Sequence, residues 1–293
     1  MRATRAIIHL NNLRHNLAQV KARLAPGTLL CMAIKADAYG HGALPVAHEA
    51  REAGADCFGV ATVEEAIELR NGGIEAPVIL LGLPFPNEIE ALIFHDISTM
   101  VASRDLILEC DKAARRSGKK LTVHLKIDTG MGRIGCAPDE APELGLLIAR
   151  SPNLVHGGTC THFAGSDLED TSFAREQLAS FTTALSRMRE RGVNPGIVHA
   201  ANSGAIILMP QSFFGMVRPG ILLYGYYPSG EQERSLDVRP VMELKTRIAF
   251  LKTVAAGTPV SYGMTWRAEH ETVIATLPAG YGDGYSNAPC PSG

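Results

Sequence analysis

The chain is 293 residues long, 46% hydrophobic and 20% charged, with a formal net charge of −2. That balance gives no electrostatic case for nucleic acid or an anionic membrane surface, and no apolar run approaches the length of a membrane span. Cys31, Cys57, Cys110, Cys136, Cys160 and Cys290 form no CxxC pair, and the histidines show no HExxH spacing. Reduced thiols in a cytoplasmic protein without a metal centre are therefore expected.

After a polar amphipathic segment at 11–24, apolar strand-like runs alternate with helical patterns. The runs fall at 29–34, 57–61, 78–82 and 98–101, then at 121–127, 155–161, 197–200 and 216–218. Helical spacing occupies 44–53, 63–71, 87–94, 104–117 and 172–191, and Gly54, Gly72, Gly118 and Gly192 are placed to cap helix ends. Eight strands with intervening helices predict an α/β fold, a (β/α)8 TIM barrel, with a doubly wound open sheet as the alternative. Past Pro228-Ser229-Gly230 the texture changes, and 241–253, 258–262 and 271–277 alternate without a helical period. This predicts a barrel domain over 1–230, whose opening residues are available to pair with a second, all-β domain over 236–293. That second domain is short for an independent core.

Active-site groups of such a barrel collect at the carboxyl ends of its strands. AIKADAYGHG at 33–42 breaks the first run with Lys35 and, four residues on, Tyr39. A lysine amine at the end of an apolar strand can form a Schiff base with an aldehyde cofactor; the plainer reading is a lysine that snorkels to solvent. Lys126 and Asp128 close the fifth run, His162 follows the sixth, Asn202-Ser203-Gly204 the seventh, and Arg218-Pro219-Gly220 the eighth. GMGRIG at 130–135 matches GxGxxG, but the next strand ends in Thr161-His162 rather than an acidic residue, against a dinucleotide fingerprint. A phosphate is better placed at Ser203-Gly204 and Gly220-Ile221, where loops after the last two strands offer N–H groups and a hydroxyl.

The ordered set AIKADAYGHG (33–42), KIDTGMGRIG (126–135), THFA (161–164), ANSGA (201–205), MVRPGILLYG (216–225), VSYGMTW (260–266) and PAGYGDG (278–284) resembles the alanine racemases. These are barrel-type pyridoxal 5′-phosphate enzymes. IHLNNLRHN at 8–16 is similar to the family's opening, with His9 where an acidic residue is usual. The resemblance implies that Lys35 holds the cofactor and then serves as one of two opposed bases. Tyr39, Asn202 and Ser203, with backbone at Gly220 and Ile221, are implied as cofactor-binding. Arg218 is implied against the pyridine nitrogen, where a permanent cation keeps that nitrogen unprotonated. The ring is then a weaker electron sink, which favours racemisation over transamination.

Tyr262 is implied as the second base, entering the active site of the partner subunit in a homodimer, with His162 linking it to Arg218. On residue chemistry alone, Tyr262 reads as a buried strand tyrosine. Arg133 and Met131 are implied at the substrate and Tyr281 in its entryway. Lys126 is implied as a carbamylated lysine that orients Arg133; its plainer reading is an ion pair with Asp128. The implied reaction interconverts L- and D-alanine in the cytoplasm, supplying peptidoglycan precursors, without nucleic-acid or membrane partners. A broader amino-acid or serine racemase and a non-catalytic pyridoxal-phosphate-binding barrel are the alternatives. Family members also carry a Cys-Met-Asp loop and a further tyrosine that this sequence does not contain. The sequence therefore reads as a C-terminally truncated member with an incomplete β domain and weak or absent activity.

Overall fold

The computed structural model describes residues 2–230 and 234–284; Cys290 and the other closing residues lie outside the described residues. The chain divides into two compact units, one spanning His9–Val241 and one combining the opening residues through Ile8 with those from Met242 onward.

Strand β1 (Arg5–Ile8) opens the smaller unit. In the larger unit, β2 (Leu29–Ala33), β3 (Cys57–Val60), β4 (Val78–Leu80), β5 (Ser98–Val101), β6 (Leu121–Lys126), β7 (Leu154–Cys160), β8 (Ile197–His199) and β9 (Met216–Val217) pair in parallel. They close into a barrel when β9 returns to β2. These are the eight apolar runs of the sequence. A strand packed by helices outside and side chains inside needs apolar residues on both faces, so the runs are continuous rather than alternating. Cys31, Cys57, Ile79, Met100, Cys160 and Met216 fill the interior, as the packed core of this fold requires.

Helices at Leu10–Lys21, Ala43–Glu52, Val63–Asn71, Ile89–Phe94, Arg104–Ser117 and Ser172–Glu190 follow the helical spacing closely. Two more, Ala141–Arg150 and Ser203–Leu208, have no such announcement. Pro142 lies in the first turn of Ala141–Arg150, where a missing N–H is harmless. A Cβ on Gly145 would fall 2.9 Å from Met188 Cε and from Val193 Cγ1, so that glycine permits close helix packing. Ser203–Leu208 is too short to show a period.

Two departures from regular geometry mark the barrel, one at its carboxyl end and one within its wall. Residues Ala36–Tyr39, directly after Lys35, are left-handed, with φ of 52°, 51°, 55° and 55°. None is glycine, and each such residue costs roughly 1–2 kcal/mol. The second departure is a register shift between Val123 and His124 on β6, facing Gly157-Gly158 of β7.

In the smaller unit, β1 pairs antiparallel with β10 (Met242–Lys245), β11 (Phe250–Val254) with β14 (Thr272–Thr276), and β12 (Pro259–Val260) with β13 (Trp266–Arg267). Val241 belongs to the larger unit, donating its N–H to Tyr224 O at 3.1 Å and accepting the His9 N–H at 2.8 Å. Tyr262 is not a buried strand residue. It opens a 3₁₀ turn, Tyr262–Met264, after Ser261 at a φ of 65°, and is 95% exposed. The positive φ ends the strand before the tyrosine is reached.

Candidate active site at the carboxyl end of the barrel

A cavity of about 440 Å³ opens where the barrel strands end. Lys35, Tyr39, Lys126, Arg133 and His162 line it, and so do Asn202, Ser203, Arg218, Gly220 and Ile221. Residues spread over nearly two hundred positions meet because parallel strands deliver their carboxyl ends to one rim. Met131 is not among the lining residues. Tyr262 and Tyr281 lie in the smaller unit and are both strongly exposed.

Lys35 stands between the apolar end of β2 and the left-handed turn, and side chains from neighbouring segments hold that turn in place. Glu65 accepts the Ala36 N–H at 2.6 Å with one carboxylate oxygen. Its other oxygen accepts from Ala61 and Thr62 as half of the capping box of Val63–Asn71. Asp37 accepts the Ala43 N–H at 2.6 Å, fixing the exit into the next helix. His41 must carry its proton on Nδ1, since that nitrogen faces the carbonyls of Ala38 and Tyr39 at 3.0 Å each. Tyr39 packs on the ring of Tyr224 with centroids 4.8 Å apart, and the Tyr224 hydroxyl donates to Ala33 O at 3.0 Å. Strain of this kind persists only where surrounding structure enforces it.

The opposite wall is a hydroxyl and backbone cradle. Ser203 Oγ accepts the N–H of Gly220 at 2.9 Å and of Leu222 at 3.3 Å, leaving its own hydrogen for a ligand. Asn202 caps Ser203–Leu208 by accepting the Ala205 N–H at 3.0 Å, and it accepts the Ser166 hydroxyl at 2.7 Å. A Cβ on Gly220 would lie 2.6 Å from Tyr39 Oη, so only glycine brings this loop against the tyrosine. A Cβ on Gly204 would lie 2.9 Å from the Asp167 backbone nitrogen.

Arg218 is buried and donates to Thr161 O at 2.8 Å and Ala200 O at 3.2 Å. Its guanidinium also meets His199 Nδ1 at 2.8 Å and His162 Nδ1 at 3.3 Å. Among the described residues no carboxylate pairs with it. Burial first, and then the Arg218 charge, push His162 and His199 well below the usual histidine range. Burial is also the main force that lowers Lys126 to about 8, opposed by Cys160 and more weakly by Asp128, and reinforced by Arg218 and Arg133. The plain Lys126–Asp128 ion pair is not formed. Asp128 instead accepts the backbone N–H groups of Gly130 at 2.9 Å and Gly132 at 3.1 Å. GMGRIG is thus a loop folded around an aspartate, not a strand-to-helix nucleotide turn.

Gln177, buried on the helix Ser172–Glu190, goes unnoticed in the sequence. It accepts the Ala164 N–H at 2.9 Å and donates to His162 O at 3.1 Å and Thr129 Oγ1 at 3.4 Å. One amide thereby ties the loops carrying His162 and Arg133. A polar residue at an inward position of an amphipathic helix is the only sequence signal for it.

The cavity wall carries four cationic side chains (Lys35, Lys126, Arg133, Arg218) against the single carboxylate of Asp167. With the Ser203–Gly220 cradle, it suits an anion bearing a phosphate at one end and an aromatic nitrogen at the other. That donor set fits pyridoxal 5′-phosphate.

Two family models, described as the N-terminal domain and the C-terminal domain of alanine racemase, match residues 8–228 and 241–291. A relative named alanine racemase from Treponema denticola is 48% identical over 287 residues, covering 97% of this chain and 76% of that protein. The structure of alanine racemase from Clostridium difficile 630 superposes with a TM-score of 0.91 at 37% identity, covering 97% of this chain and 75% of the other. A histidine racemase from Leuconostoc mesenteroides superposes with a TM-score of 0.88 at 26% identity, over 97% of this chain and 76% of the other. The order of the motifs, the closed eight-stranded barrel and the agreement over nearly the whole length lead to one conclusion: this chain belongs to the alanine racemase family of amino-acid racemases.

Proposed function

We propose that the chain interconverts L- and D-alanine with pyridoxal 5′-phosphate, in a homodimer whose sites each use residues of both subunits. The observation that carries this reading is the convergence of Lys35, Arg218 and the Ser203–Gly220 cradle on one cavity. When bound, the cofactor supplies the electron withdrawal that acidifies the α-hydrogen of the amino acid.

Lys35 Nζ would hold the cofactor and then take or return the proton on one face. Tyr262 of the partner subunit would do so on the other, through its phenol oxygen. Its exposure on a turn suits a group that acts outside its own unit. Tyr39, Ser203 and the Gly220 and Ile221 backbone would bind the phosphate, with Asn202 fixing the start of the following helix. Arg218 would face the pyridine nitrogen and, as a lasting cation, keep it unprotonated. His162 accepts from Arg218 at Nδ1, so its proton sits on Nε2, where it can meet the second base.

Arg133 would meet the substrate carboxylate. Lys126, its amine made available by burial, would take up carbon dioxide and become an anion that orients Arg133. Met131 and Tyr281 would serve the approach of the substrate rather than the cofactor. We place the reaction in the cytoplasm, among those supplying D-alanine to cell-wall precursors.

The deciding experiment incubates the purified chain, loaded with pyridoxal phosphate, with L-alanine, L-serine or L-histidine. The D-enantiomer is measured in each. D-alanine formed in preference supports the proposal. Comparable turnover of serine points to the broader racemase, and cofactor binding without turnover of any of the three fits either a binding barrel or the weak or absent activity expected from the sequence.

A further inference from the structure

Two histidines lie deeper in the barrel than the site needs. His199 ends β8 and His124 lies on β6; both are buried and neither lines the cavity. Their geometry is directional. A guanidinium has five donors and no acceptor. His199 Nδ1, 2.8 Å from Arg218 NH1, must therefore be the acceptor, and His199 carries its proton on Nε2. That N–H points at His124 Nδ1, 2.9 Å away, so His124 too accepts on Nδ1 and carries its proton on Nε2. Charging either ring would set donor against donor.

The barrel makes room for the second ring. A Cβ on Gly158 would fall 2.5 Å from His124 Nδ1, and one on Gly157 only 2.4 Å from Thr122 Cγ2 and 3.2 Å from His124 Nε2. The register shift between Val123 and His124 lies opposite these glycines. Burial, followed by His156 and Arg218, holds His124 neutral down to about 4.

We propose that His124 is a positioning residue, which through His199 fixes the plane of Arg218 and so the direction of the N–H groups that Arg218 turns to the cavity. The consequence for cofactor binding rests on the reading above, that Arg218 meets the pyridine nitrogen. The chain of bonds itself does not depend on that reading.

The first test uses the full chain without cofactor, its histidines labelled with nitrogen-15 and assigned from the His124→Asn and His199→Asn variants. Two-bond proton–nitrogen correlations read each tautomer directly. Neutral Nε2–H forms of both rings at neutral pH are expected; an Nδ1–H form or a charged ring at either position overturns the proposal. The second test measures pyridoxal phosphate binding by equilibrium dialysis, with inorganic phosphate as a probe of the cradle alone. His124→Leu is expected to weaken pyridoxal phosphate about tenfold while leaving phosphate unchanged. His124→Asn, which keeps an acceptor for the His199 N–H, is expected to restore binding to within about threefold. Unchanged affinity in His124→Leu, or an Asn variant as weak as the Leu variant, overturns it. If the Leu variant does not fold, the tautomers of the native chain decide. Should pyridoxal phosphate fail to bind the native chain, the cofactor reading falls and the tautomers still test the histidine chain.

Discussion

In the larger unit most apolar side chains of the eight strands are buried, Val155 and Ile197 being exceptions, and Leu30, Met32, Phe58 and Val101 are wholly shut from solvent. In the smaller unit Phe250 and Leu251 of β11 and Val273 of β14 stand 59%, 55% and 65% exposed. The difference follows from closure. A barrel has no edge strand, whereas among the described residues each ladder of the smaller unit has two strands and so presents only edges, an arrangement of marginal stability by itself. The chemistry divides along the same line. The barrel gathers the cations, the hydroxyl cradle and Lys35 into one cavity, while the smaller unit presents Tyr262 to solvent. A second copy that covers this apolar surface and receives the tyrosine would answer both features, which supports the homodimer reading.

That contrast is tested most severely by separating the two bases. Lys35→Ala and Tyr262→Phe are each expected to lower alanine racemisation by about 10³-fold, within the range for loss of a positioned acid–base group. Mixing the two inactive variants should then recover activity. A mixed dimer has one site with both native residues and one with neither. A mixture that stays inactive, although subunit exchange is demonstrated, would place both bases in one chain and sink the shared-site reading. A Tyr262→Phe chain with native activity would remove the tyrosine from the reaction.

The next largest effect concerns the barrel alone. Gly220→Ala forces a methyl group against Tyr39 Oη, where no space exists. Pyridoxal phosphate affinity is expected to fall by about ten- to a hundredfold, with little change in melting temperature, because the loop can move outward at the expense of the cradle. Equilibrium dialysis reads the first quantity and calorimetry the second. Unchanged affinity would show that Tyr39 and this loop do not share a ligand.

The strands were the legible part. A strand shielded on both faces leaves a continuous apolar run, and all eight runs became barrel strands. The turn after Lys35 could not be read this way, because Ala36, Asp37, Ala38 and Tyr39 carry no left-handed preference as a group. Its shape is imposed by Glu65 on another helix, a contact that local pattern does not contain. Tyr39, Ser203 and Arg218 were legible because each follows a strand end. His199 and His124 were not, since a buried polar residue within a strand looks the same whether it serves the core or a site. Gly157-Gly158 inside an apolar strand was the available clue, a mark of close approach.

If the left-handed turn is enforced by Glu65, its removal should register as lost stability. Glu65→Ala leaves three backbone N–H groups without their acceptor, those of Ala36, Ala61 and Thr62. A loss of about 2 kcal/mol is expected, within the range for charged hydrogen bonds and helix caps. Urea unfolding measures it. Glu65→Gln, which keeps an acceptor oxygen, should lose about half as much. Equal losses would mean that charge near the helix start matters more than the bonds.

The smallest effect expected is chemical rather than energetic. Burial lowers Lys126 to about 8, so raising the pH through that value converts an ammonium, which cannot react, into an amine that can. The amine nitrogen then bonds to the carbon of dissolved carbon dioxide and loses a proton, leaving a carbamate. At fixed dissolved carbon dioxide, about one-tenth of the side chain is neutral at pH 7 and about nine-tenths at pH 9, and the adduct should rise over that window. Carbon-13 bicarbonate makes the carbamate carbon visible by NMR, and Lys126→Arg provides the spectrum without it. The reaction turns a cation that feels the charges of Arg218 and Arg133 into an anion, so the product is favoured by the same two charges that disfavour the reactant. A carbamate signal that is absent across the window would return Lys126 to a buried cation. Arg133 would then have to be oriented by the Asp128 loop alone.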